Sequence, residues 1–127
     1  MSENVSKQIR SEVTKEGKLL IYVESTAMPE PKEDEVLIRI EASPINPSDL
    51  GLLIGPADVS SMSVSGEGEN AVVTMDIPEG LLRMLETRLD QSLPVGNEGG
   101  GVVVKAGSKD LEDLVGKTVG VAGGSMY

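Results

Sequence analysis

Apolar and polar positions alternate most regularly from Val36 to Glu41, where Val36, Ile38 and Ile40 are separated by Leu37, Arg39 and Glu41. A period of two is the signature of a strand with one face covered. Lys18 to Val23 is dense in strand formers and follows a Lys15-Glu16-Gly17 turn. It predicts a strand, with the less regular stretch Gln8 to Val13 as its hairpin partner. Met28 to Glu35 holds two prolines and five charges and predicts an exposed connection. Beyond the alternating strand, Asn46 is placed to cap a helix, Pro47 suits a first helical turn, and Asp49 stands where a capping-box acid belongs. A short helix over residues 50–54 follows, ended by Gly55-Pro56. Residues 57–70 are rich in Ser and Gly without periodicity and predict a mobile surface loop.

Ala71 to Met75 reads as another strand, and Asp76-Ile77-Pro78-Glu79 repeats the arrangement of cap, proline and acid. Leu81, Leu82, Leu85 and Leu89 then fall on one face of a helix running to about Asp90, a face that predicts packing on the sheet. Gly99 to Gly101 leads into a strand at Val102-Val103-Val104, Gly107-Ser108 turns the chain, and Leu111 to Leu114 predicts one helical turn. Lys117 to Ala122 alternates again and closes the series. Six or so short strands with one or two short helices give a mainly β, α+β chain, expected as a small, partly open β-barrel.

Composition narrows what such a barrel can do. The 127 residues fit one domain, residues 1–127. With no Phe or Trp and only Tyr22 and Tyr127, its core has to be aliphatic. The net charge of −10 argues against nucleic acid and anionic membrane surfaces as partners. The absence of Cys and His excludes disulfides and zinc-thiolate chemistry. The polar first ten residues, with Glu3, make no secretory signal, and no apolar run approaches the ~20 residues of a membrane span. A cytoplasmic protein is expected.

Two glycine-rich stretches invite nucleotide readings and fail them. Gly116-Lys117-Thr118 resembles the end of a phosphate loop, but that loop needs a glycine where Leu111 stands and should open a helix rather than a strand. Gly96-Asn97-Glu98-Gly99-Gly100-Gly101 precedes a valine strand, the reverse of the strand-then-helix order of a dinucleotide fingerprint. Nothing in the sequence reads as a nucleotide-binding βαβ unit.

The segments Ala42-Ser43-Pro44-Ile45-Asn46-Pro47-Ser48-Asp49-Leu50 and Pro94-Val95-Gly96-Asn97-Glu98-Gly99-Gly100-Gly101, with Gly107 beyond, carry a more specific likeness. In order and spacing, roughly over residues 17–127, they resemble the N-terminal GroES-like domain of the medium-chain dehydrogenase/reductase superfamily. In its zinc-dependent members the place of Asn46 holds a cysteine ligand and that of Asn97 a histidine ligand. The resemblance therefore implies the zinc-free branches, close to the quinone oxidoreductases and enoyl reductases. It implies a GroES-like barrel without the Rossmann domain that completes such enzymes, and a chain truncated at its C-terminal end. The stretch 79–90 has no usual counterpart in the family core and reads as a subgroup insertion.

By the same resemblance, NAD(P)H would serve the full-length protein while this fragment would bind no nucleotide and no zinc. Catalytic roles fall to Ser48, Asn46 and Glu98, with Asn46 also facing the cofactor. Leu50 and Asn97 fall on the side of a small-molecule substrate. Ser48 takes the place of a proton-relay hydroxyl, and the amide of Asn46 suits a nicotinamide carboxamide or a substrate carbonyl. From the residues alone, Asn46, Ser48 and Asp49 serve equally well as helix caps. Glu98, expected to be partly buried, serves equally well as a structural carboxylate bonded to backbone or to Arg39. The tyrosine that enoyl reductases of this kind carry shortly after the short helix is missing from Gly55-Pro56-Ala57-Asp58-Val59. A free-standing GroES-like binding, scaffold or co-chaperonin module and a regulatory pseudo-domain remain alternatives.

Overall fold

In a computed structural model, which describes residues 5–127, the alternating segments are strands. β1 (Val5–Val13) and β2 (Lys18–Ala27) form an antiparallel hairpin in register from Val13↔Leu19 to Val5↔Ala27. The turn is closed by Thr14 N–H on the Lys18 carbonyl at 2.8 Å and by Gly17 N–H on the Thr14 carbonyl at 3.0 Å. β3 (Val36–Ala42) follows the charged connection and leads into helix α1 (Pro47–Leu53).

The stretch from 57 to 70 corrects the sequence-based expectation of a loop. It contains β4 (Asp58–Ser65) and a 3-10 turn (Gly68–Asn70), and β4 pairs with β5 (Val72–Asp76) from Ser63↔Thr74 to Ser65↔Val72. Serine hydroxyls fix its start, since Ser61 Oγ accepts the Asp76 N–H at 2.7 Å and donates to the Asp58 carbonyl at 2.6 Å. β4 is an edge strand with both Met62 and Val64 exposed. A strand covered on neither face has no reason to show a two-residue apolar period.

Past β5 the correction is smaller. Asp76 belongs to the strand and ion-pairs with Lys18, so Pro78 takes the N-cap position of α2 (Glu79–Leu82), which continues as a 3-10 turn over Arg83–Arg88. The Asp90 N–H is captured by the Val13 carbonyl at 2.7 Å, which draws Leu89 into extended backbone and ends the helical run. β6 (Leu93–Pro94) then pairs with Ser11 and Arg10 of β1. β7 (Glu98–Ala106) absorbs the glycine run into the strand itself. A 3-10 turn at Lys109–Leu114 leads to β8 (Thr118–Ala122).

The strands form two antiparallel sheets, ordered β4-β5-β2-β1-β6 and β3-β7-β8. The fold is thus mainly β with few short helices. Val13, Leu19, Met75 and Ile77 form the buried cluster of the larger sheet. Leu82, Leu85 and Leu89 pack on it as the helical spacing predicts, while Leu81 stays 36% exposed. The core is aliphatic throughout. Among the described residues no helix is long and apolar enough to cross a membrane.

Candidate functional site

The site grows from the way α1 begins. Asn46 is its N-cap in extended backbone and Pro47 its first residue, whose ring is already set for the helix. Asp49, one turn on, accepts the Asn46 N–H on Oδ2 at 2.7 Å and the Asn97 N–H on Oδ1 at 3.1 Å. One carboxylate thereby ties together two segments 48 residues apart in the chain. Asp49 is only 2% exposed. The Asn46 N–H, with the Asn97 N–H assisting, holds its carboxyl below the usual aspartate range, against the opposing push of desolvation.

With its backbone held by Asp49, Asn46 directs its side-chain nitrogen toward Glu98. Its Nδ2 donates to Glu98 Oε2 at 3.0 Å. A carboxylate only accepts, so Glu98 fixes which end of the amide is nitrogen. That amide nitrogen carries a second N–H that a ligand could accept. Glu98 opens β7 beside a recess of about 430 Å³ shared with Pro44, Gly99, Gly120, Val121 and Ala122. Ser48 and Leu50 lie exposed on the first turn of α1, and the Asn97 side chain is exposed beside Glu98.

Two expectations for Glu98 are corrected. It is exposed rather than partly buried, and its partner is Asn46 rather than Arg39. The register explains the second point, because Arg39 lies opposite Val102, four residues beyond Glu98 along β7 and so about 13 Å away at ~3.3 Å per residue. Arg39 instead bonds Glu41 on its own strand at 2.8 Å.

Sequence reasoning missed Tyr127. Its hydroxyl donates to the Pro44 carbonyl at 2.9 Å, its N–H to the Val95 carbonyl at 3.2 Å, and its carbonyl accepts the Ile9 N–H at 3.1 Å. Ser43 Oγ adds a bond to the Met126 carbonyl at 2.8 Å. The last residues thus underlie the Asn46 turn, and burial followed by the Asp49 carboxylate pushes the phenol pKa up. Gly96 makes room for the ring. Its φ is +100° and a Cβ there would stand 2.8 Å from Tyr127 Cδ1. No local pattern announces this contact, since 83 residues separate Tyr127 from Pro44.

The far end of α1 is anchored by a second buried group. Ser11, fully buried on β1, places Oγ 3.0 Å from the Leu52 and Leu53 carbonyls and accepts Arg88 Nη2 at 3.0 Å. Burial lowers the Arg88 pKa. Ser11→Ala leaves a guanidinium N–H and the helix-end carbonyls without their partner. It is expected to cost about 2 kcal/mol in urea unfolding, well above a surface serine.

Among the described residues no group of three or more Asp, Glu, His or Cys is arranged to hold a metal ion. Comparison with protein-family models and with curated proteins finds no match to this chain.

Proposed function

We propose that this chain is the substrate-side wall of a zinc-free, NAD(P)H-dependent oxidoreductase that reduces a carbonyl, a quinone or an activated alkene. The observation that carries the reading is the Asn46–Glu98 hydrogen bond at 3.0 Å, built where the two signature segments meet over Asp49. Reduction of such substrates builds negative charge on an oxygen, and a fixed donor aimed at that oxygen stabilises it. An amide whose nitrogen is already held by a carboxylate is such a donor, oriented before the substrate arrives. The same amide matches the carboxamide of a nicotinamide, donor to acceptor and acceptor to donor. NAD(P)H would supply the hydride from a Rossmann domain that faces this wall in the parent protein. Ser48 supplies an exposed hydroxyl near the amide, and Leu50 an apolar surface for the substrate body.

The GroES-like barrel remains the proposed identity of the two-sheet fold, and the cytoplasm the proposed location. The co-chaperonin alternative needs a mobile apolar loop, and the segment that would provide it is the paired strand β4.

On this reading the chain alone holds one side of a cleft and does not retain nucleotide. Calorimetric titration with NADH and with NADPH is expected to give no saturable heat. Binding of either at roughly micromolar concentration would move the cofactor site onto this domain and overturn the division of labour.

A further inference from the structure

A cavity of about 540 Å³ lies away from the Asn46–Glu98 pair, between the two sheets. Its walls are mainly apolar, formed by Val5, Leu37, Ile38, Ile40, Val104 and Met126 among others. Both strands that flank it present an unpaired edge. Among the described residues β3 is the end strand of its sheet, hydrogen-bonded only to β7. β1 has β2 on one side, but β6 covers its other side only at Arg10 and Ser11. At Ile9 that open side is met by the Tyr127 carbonyl. Backbone groups alternate in direction along an antiparallel strand, so the N–H and C=O of Lys7 and Val5 point the same way as those of Ile9. Among the described residues none pairs with them there.

We propose that this groove is a β-strand docking site, filled by an extended segment of a partner protein that inserts between β1 and β3. Two facing free edges give such a segment main-chain hydrogen bonds on both sides, which a rounded small molecule would leave unmade. The apolar walls take alternate side chains of the inserted strand. The charges select its sequence, for the lining includes Lys7 and Arg39 and no acid, although the chain as a whole is at −10. Both cations are exposed and ion-paired, to Glu69 and Glu41 respectively, and a carboxylate of the inserted strand would take the place of those partners. The occupant is therefore an extended strand with apolar residues at alternate positions and acidic residues at its ends.

The test uses the chain as it stands and the peptide acetyl-Glu-Val-Thr-Val-Thr-Val-Glu-amide. Saturable binding is expected by two-dimensional NMR, with slowed exchange at the Lys7 amide and along β3. The same peptide N-methylated at alternate residues should bind at least about tenfold more weakly, because it cannot complete the ladder. The double variant K7S/R39S, altered only at exposed positions, should lose several-fold in affinity and most of the salt dependence. No saturation at about 1 mM peptide would overturn the proposal. Equal binding of the methylated peptide, shifts confined to β4, or dodecanoate binding more tightly than the peptide would each do the same, the last by making the groove a fatty-acid pocket.

Discussion

Asp49→Ala is expected to lower the thermal unfolding midpoint by on the order of 10 °C. The loss is large for one residue because the buried carboxylate accepts from Asn46 and Asn97 at once, and alanine strands both N–H groups. The same change frees the Asn46 turn from the Asn97 segment, so NMR signals of Asn46 and Glu98 should broaden. Acid has the corresponding effect on the native chain. The folded pKa of Asp49 is depressed below the ordinary 3.8, so its stabilisation is complete above that value and fades as pH falls through the folded pKa. Thermal melts at falling pH should show the gap between the native chain and Asp49→Asn narrowing as the native carboxylate takes up its proton.

Gly101→Ala is expected to cost about 3 kcal/mol or to prevent folding. A Cβ at Gly101 would stand 2.0 Å from the Arg39 carbonyl oxygen, a backbone atom of the paired strand that cannot turn aside. β3 and β7 would have to separate, and with them the Asn46 turn and Glu98 that those two strands carry. Gly120→Ala is the control, because a Cβ there meets nothing within 4 Å. Urea unfolding should place the control within about 0.5 kcal/mol of the native chain.

These two variants mark where the sequence was legible. The spacing Asn46-Pro47-Ser48-Asp49 announces a helix start, and the structure has one, with Asp49 bonded back to Asn46. β3 shows its period and β2 its density of strand formers, and each was placed to within a few residues. β4 escaped because its side chains face solvent on both sides and its pairing rests on backbone and serine hydroxyls. The site itself was half legible. Asn46 and Glu98 do meet, but their bond and the second bond of Asp49 join residues some fifty positions apart. Such contacts depend on sheet register, which no local pattern encodes, and the same register removed Arg39 from reach of Glu98. Tyr127 is the extreme case. Its role depends wholly on where the last residues pass beneath the Asn46 turn.

The proposed zinc-free reductase reading places Asn46 and Asn97 where zinc-dependent relatives would carry a cysteine and a histidine ligand, with Glu98 beside that metal. It is tested most directly by restoring the ligands. In the double variant Asn46→Cys, Asn97→His, titration against a chromogenic chelator should reveal one zinc ion bound per chain at roughly micromolar free zinc, with Glu98 as the third ligand. The native chain in the same titration should compete for none. A double variant that folds, and yet takes up no more zinc than the native chain, would mean that these side chains do not converge and would contradict the account.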